Sequence, residues 1–144
     1  MIRLANKHDT TEIIEMMQAF RKESQIIQFK DLDNEEYWHE LLAGIFAGRG
    51  FIYIEEGKGL IIGLIVPSLW CNKTYALHEL AWYVKPEQRN TTIGARLFHS
   101  FINEAKRLKE QDRIKYFVMS KLSSSPDIKY DKYGFTKLDE NWIQ

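Results

Sequence analysis

The chain has 144 residues, of which 44% are hydrophobic and 28% charged, a balance that suits one globular domain over residues 1–144 and lies far from the disordered and membrane classes. Its 20 basic and 20 acidic side chains cancel, so no global field draws the protein to nucleic acid or to an anionic membrane, and any anion site must be local. No window approaches the roughly 20 apolar residues of a membrane span, the opening Met1-Ile2-Arg3-Leu4-Ala5-Asn6-Lys7 lacks the apolar core of a signal peptide, and the lone Cys71 allows no intrachain disulfide, so the expected location is the cytoplasm.

In chain order, Ile2 to Ala5 reads as a short strand, and Asp9 or Thr10 is placed to cap a helix with Ile13, Ile14, Met17 and Phe20 on its apolar face. Asn34 caps a second helix carrying Trp38, Leu41, Leu42, Ile45 and Phe46, which Gly48-Arg49-Gly50 stops. Phe51 to Ile54 and Leu60 to Val66, around the turn Glu56-Gly57-Lys58-Gly59, form a hairpin whose second strand Pro67 ends or bulges. After a turn at Trp70-Cys71-Asn72-Lys73, Tyr75 to Val84 makes a third antiparallel strand.

From Ile93, the set Leu97, Phe98, Phe101, Ile102, Ala105 and Leu108 predicts a long amphipathic helix, followed by a strand at Ile114 to Met119. Strand, helix, strand implies a parallel pair joined by a crossover, and hence a mixed α/β sheet. Ser125, with Pro126 next to it, is placed to start a short helix that Gly134 ends, and Phe135 to Ile143 reads as a closing strand or strand-like tail with Trp142 packed.

Chemistry concentrates where the third strand of the meander meets the long helix, at Val84-Lys85-Pro86-Glu87-Gln88-Arg89-Asn90-Thr91-Thr92-Ile93-Gly94-Ala95. The first turn of a helix has N–H donors without intrahelical acceptors, and its dipole places partial positive charge there, so this junction suits a phosphate. Arg89 and Arg96 add charge nearby, and Gly94 lets backbone approach a ligand closely.

Element order and junction together resemble the GNAT superfamily of acyl-CoA-dependent N-acetyltransferases. The opening Ile2-Arg3-Leu4-Ala5, followed by Asp9 and Ile13, is similar to that family's first strand and helix. The family's phosphate loop (Arg or Gln, two variable residues, Gly, one variable residue, Gly or Ala) is matched by Arg89, Asn90, Thr91, Thr92, Ile93 and Gly94, with Thr92 in place of the first Gly. A Tyr four residues before a Gly-Phe pair is matched by Tyr130 and Gly134-Phe135, and an Asn often seen seven residues before that Tyr corresponds to Ser123. The resemblance implies a mixed sheet whose parallel pair splays around a coenzyme A cleft, and transfer of an acetyl group from acetyl-CoA to a primary amine of a small molecule or a protein. The pyrophosphate would lie on the N–H groups of Asn90, Thr91, Thr92, Ile93, Gly94 and Ala95 beside Arg89, the pantetheine arm would pair with backbone near Trp82 and Val84, and Ser123 would contact the cofactor. A homodimer joined through the C-terminal strand also occurs in the family.

Such a transfer has two proton problems: the amine must lose one and the departing thiolate must gain one. Tyr130, with a reference pKa of about 10 against about 8.5 for a thiol, suits protonation of the sulfur. Glu79 is the candidate base, directly or through a water. His78 points to the opposite face by strand alternation, an assignment that a bulge would reverse. The acceptor would meet Gln25 to Trp38 and Trp70 to Lys73, where Asp31, Asp33, Glu35 and Glu36 offer attraction to a cationic amine. His8, His39, His78 and His99 have no metal-ligand spacing, so no metal is expected, and 13% aromatic residues without a basic stripe read as core rather than as base-stacking platforms. The competing reading is a catalytically silent acyl-CoA-binding module.

Overall fold

The computed structural model describes residues 1–122 and 125–144. Its elements are β1 (Arg3–Leu4), α1 (Thr10–Ser24), α2 (Glu35–Gly44), β2 (Gly50–Glu55), β3 (Gly59–Ser68), β4 (Cys71–Val84), α3 (Ile93–Glu110) and β5 (Tyr116–Val118). The strands form one five-stranded sheet in chain order, antiparallel from β1 to β4 and parallel between β4 and β5. α3 is the crossover that a parallel pair requires.

Strand alternation divides the apolar side chains between two layers. Ile52, Ile54, Leu60 and Ile62 pack with Ile13, Ile14 and Met17 of α1 and Leu42 of α2. Their neighbours Phe51 and Ile61 face the other way, onto Leu97, Phe98, Phe101, Ile102 and Ala105 of α3. The helical period placed these residues correctly: Ile13, Leu97 and Phe101 have no exposed surface. The hydrophobic term holding the fold is thus two apolar layers on one sheet.

The start of α1 differs from expectation. Asn6, not Asp9 or Thr10, is the capping side chain: it accepts from the His8 N–H at 2.9 Å, and Asp9 accepts from the Asn6 N–H at 2.9 Å, a reciprocal box around the 3-10 turn Lys7–Asp9. Asp9 is buried and also receives two guanidinium bonds from Arg3, at 2.8 and 2.9 Å, which hold its carboxyl below the usual range. Asn34 caps α2 as expected, accepting from the Tyr37 N–H at 3.0 Å.

Of the two readings of Pro67 the bulge holds and the stop does not: β3 continues to Ser68 with a slip of register between the two. The turn therefore shrinks to Leu69-Trp70, and β4 begins at Cys71 rather than at Tyr75.

The C-terminal expectations fail more widely. No helix begins at Ser125; among the described residues the helical turn there is a 3-10 turn, Tyr130–Tyr133, which Gly134 ends at φ 87°. Phe135 to Ile143 forms no strand, and Trp142 is 88% exposed instead of packed. The closing segment alternates Leu138 and Trp142 with charged and amide side chains, too little apolar surface to hold it on the sheet. No described helix is long and apolar enough to cross a membrane.

Candidate functional site

The register between β3 and β4 decides where the chemistry lies. Ile62 pairs with Ala81 and Gly63 with Glu79, so Leu80 is an extra residue, a β-bulge in β4. Gly63 sits opposite because a Cβ there would come within 2.9 Å of Leu77 and 3.1 Å of Phe101. Without the bulge, Glu79 would share a face with Ala81 and Tyr83, both in the layer under α1 and α2. With it, Leu77, Glu79, Trp82 and Val84 all lie on the α3 side. The bulge falls beyond both His78 and Glu79, so it does not exchange them; His78 stays on the opposite face.

β4 and β5 pair only over Ala76–Tyr116, Leu77–Phe117 and His78–Val118. Past that point β4 runs on to Val84 with no β5 residue beside it, so its edge from Glu79 onward is open on that side. Glu79 stands at the fork. Burial pushes its carboxyl up to about 7, although an N–H bond from the Ser120 backbone works against the shift. Tyr130 is half-buried, edge-on to Phe98 at 6.2 Å and to Phe135 at 5.8 Å. Its phenol is raised above the ordinary 10, by burial first and then by the charge of Glu79, so it keeps its proton throughout the neutral range. The fold thus brings Glu79 close enough for its charge to act on Tyr130.

At the far end of the open edge, the chain passes through the 3-10 turn Pro86–Gln88 and enters α3. The N–H groups of Arg89 and Thr91 are consumed by Pro86 and Gln88 carbonyls, at 3.3 and 3.2 Å, and that of Ile93 has only a long contact to the Thr91 hydroxyl at 3.4 Å. Among the described residues, those of Asn90, Thr92, Gly94 and Ala95 have no protein acceptor. Thr92 accepts at its hydroxyl from Arg96 Nε at 3.2 Å, leaving its own O–H free to donate.

Arg89 and Arg96 do not serve as free anion ligands. Arg89 donates from Nε to the Val84 carbonyl at 2.9 Å, grips the Glu23 carboxylate of α1 with bonds of 2.5 and 2.7 Å, and lies 5.8 Å over the Tyr83 ring. Arg96 pairs with buried Glu55 at 3.2 Å. The motif locates the loop, but its arginine clips that loop to α1. Nothing local to the sequence signals Glu23, which arrives from 66 residues away. Ser123 lies outside the described residues.

No protein-family model and no curated protein matches the sequence. Solved structures do. A predicted acetyltransferase from Clostridium acetobutylicum, solved with acetyl-CoA, superposes with a TM-score of 0.75 at 18% identity, over 100% of this chain and 94% of that one. A ribosomal-protein-alanine N-acetyltransferase from Brucella melitensis biovar Abortus 2308 gives 0.59 at 15%, over 100% and 99%. An aminoglycoside acetyltransferase from an uncultured soil metagenomic sample, in complex with sisomicin, gives 0.64 at 11%, over 100% and 95%.

This is the GNAT fold.

A GNAT-type donor site asks three things of the chain: unpaired amides for a diphosphate, an unpaired strand edge for an extended arm, and room between them. The loop into α3 has the first and β4 beyond His78 the second. As to the third, a Cβ built on Gly94 would stand in ordinary contact, 3.7 Å from Val84 and 3.9 Å from Trp82, so the start of α3 packs on β4 with space for a methyl group. The residues present fit an acyl-CoA. Among the described residues no group of three or more His, Cys, Asp or Glu side chains gathers to hold an ion.

Proposed function

We propose that this protein is an acetyl-CoA-dependent N-acetyltransferase acting on a primary amine. The observation that carries the reading is the fork between β4 and β5, with Glu79 and Tyr130 at its neck and unpaired amides at its mouth. Acetyl-CoA supplies an activated acyl thioester when bound. The chain supplies the rest. Amides of Asn90, Thr92, Gly94 and Ala95 hold the diphosphate, and the open edge near Trp82 and Val84 takes the arm as an added strand. Glu79, with its carboxyl near 7, removes the proton that the amine must lose, directly or through a water. Tyr130, protonated across the neutral range, returns a proton to the sulfur as the carbon–sulfur bond breaks.

The acceptor reading rests on charge. The segment between α1 and α2 exposes Asp31 and Asp33, and the first turn of α2 exposes Glu35 and Glu36. Arg21 holds that segment in place, donating to the Phe29 and Lys30 carbonyls at 3.0 and 2.6 Å. An acidic, anchored loop favours a cationic amine. Among the compared proteins the acceptors in the names are a ribosomal protein and an aminoglycoside, so both a protein and a small molecule remain in the acceptor class.

Two measurements test this. Calorimetric titration with acetyl-CoA should give saturable heat, and thiol release with a panel of small amines and basic peptides should then exceed the rate without acceptor. Saturable binding with no release from any amine would favour a silent binding module instead. Tyr130→Phe should bind acetyl-CoA as the parent does and lower kcat by about 100-fold, the range of a single general acid. Full turnover by that variant would take the acid role away from Tyr130.

A further inference from the structure

Between α1 and the first turn of α2 the chain carries apolar side chains that the fold does not use. Ile27 is 84% exposed, Leu32 62% and Tyr37 56%, and none of them belongs to either core layer. Scattered singly, such residues mean little, but a group of them on an ordered surface marks a contact site. This surface is ordered: Ile27–Phe29 is a 3-10 turn, and Arg21 of α1 holds it by donating to the Phe29 and Lys30 carbonyls at 3.0 and 2.6 Å. A segment that only connected two helices would need neither the anchor nor the apolar residues. Interleaved with them are Asp31, Asp33, Glu35 and Glu36, against the single cation Lys30. Among the described residues the one ion pair this segment makes is Arg21 with Asp33, at 4.0 Å. Glu35 and Glu36 also suit the first turn of α2, whereas Asp31 has no such use.

The course of α1 sets where this surface lies. The helix starts over the β2–β3 turn, where Glu12 accepts from the Gly57 N–H, and ends over β4, where Phe20 stacks on Tyr83 at 5.5 Å and Glu23 grips Arg89. With β2, β3 and β4 side by side in that order, α1 crosses the sheet toward its β4 side. The segment leaves it after Gln25 turns at φ 54°, beside the loop that enters α3 and toward the edge where β4 has no β5 residue next to it.

We propose that the acceptor is a peptide: Ile27, Leu32 and Tyr37 take up apolar side chains next to its primary amine, while Asp31 and the neighbouring carboxylates attract the ammonium form. The inference rests on the acetyltransferase reading above and narrows its acceptor class. A polyamine or an amino sugar has charge for the carboxylates but no apolar surface for side chains spread from Ile27 to Tyr37, whereas a peptide has both. Overall, the ammonium and the thioester become an amide, a thiol and one released proton. The product is therefore uncharged, and the acidic segment holds it less well than the substrate.

Thiol release from acetyl-CoA by the full chain tests this with matched peptides. One N-acetylated peptide has its single lysine flanked by leucine and phenylalanine, its counterpart by serine and glycine; a second pair with a free chain start and no lysine covers the other peptide amine. Spermidine and an aminoglycoside serve as small amines. The apolar peptide of one pair should give a kcat/KM about tenfold above its polar counterpart and above both small amines. Ile27→Ser combined with Leu32→Ser should raise KM for that peptide about tenfold, with melting temperature and acetyl-CoA affinity unchanged, because both side chains are exposed and lie outside the donor site. Asp31→Asn should raise KM at low salt and reduce its dependence on salt. Equal rates from the two members of each pair, or a small amine better than every peptide, overturn the proposal and leave the acetyltransferase reading standing. So does a dimer in solution that the double serine variant dissolves, which would give this surface to a second copy of the chain. No thiol release from any amine removes both.

Discussion

Gly94→Trp should abolish measurable acetyl-CoA binding, weakening it by at least about 100-fold, while Gly94→Ala should bind nearly as the parent does. The difference follows from the space in front of Gly94. A methyl there meets Val84 at 3.7 Å and Trp82 at 3.9 Å, ordinary contact distances, so alanine enters without displacing anything. Gly94 lies in the first turn of α3 with φ outside the left-handed region, so alanine should also make the free protein slightly more stable, by up to about 1 kcal/mol of helix propensity. An indole at the same position must push past that methyl against Val84 and Trp82, and so force the start of α3, with the amides of Asn90 and Thr92 just before it, away from β4. Those are the donors on which the diphosphate would lie. Thermal unfolding of both variants, with calorimetry against acetyl-CoA, separates loss of the site from loss of the fold. A tryptophan variant that is folded and binds with unchanged affinity would mean that the donor lies elsewhere.

How far such a site can be read from sequence depends on the range of the interactions that make it. α3 was readable because its burial follows a strict period, from Ile93 through Leu108, and a helix needs only its own residues to choose its face. The β2–β3 hairpin and the cap at Asn34 are local for the same reason. Asn6 is legible too: an amide three residues before Asp9 is a box signature, masked by Asp9, which alone suffices as a cap. The bulge at Leu80 was not readable, because one extra residue in a strand shows only against its partner's register, and Gly63 is the partner's sole hint. Yet that residue decides whether Glu79 faces Tyr130. Arg89 shows the other limit: a motif identifies the residue, but the direction of a long cation is set by whichever carboxylate the fold brings near, here Glu23. At the C-terminus, apolar letters such as Trp142 suggested burial where the sheet offers no surface to receive them.

Glu79→Gln should make the protein less active and more stable at once. Burial raises the Glu79 carboxyl from an ordinary 4.5 to about 7, so in the folded protein it carries its proton across a range where the unfolded chain has lost it. Between those two values the folded state binds more protons, and stability therefore falls as pH rises. The contribution of this group is fully present below pH 4.5 and gone once pH has passed 7, beyond which the fold keeps a buried, charged carboxylate with one backbone N–H for company. Glutamine has the same shape, still accepts that N–H and never ionises, so at pH 8 the variant should be more stable by roughly 2 kcal/mol, and at pH 4 no more stable than the parent. Catalysis runs the other way. Only the ionised carboxylate takes a proton from the amine, so acetyl transfer by the parent should climb through a limb centred near pH 7 and level off above it. The glutamine variant should lose that limb and fall by about 100- to 1,000-fold at pH 8, with affinity for acetyl-CoA unchanged. A residue kept only for packing would not couple a gain in stability to a loss in rate across the same pH window. A Glu79→Gln profile that retains the parent's limb would transfer the base role to another group, and His78, on the opposite face of the same strand, would be the first to replace.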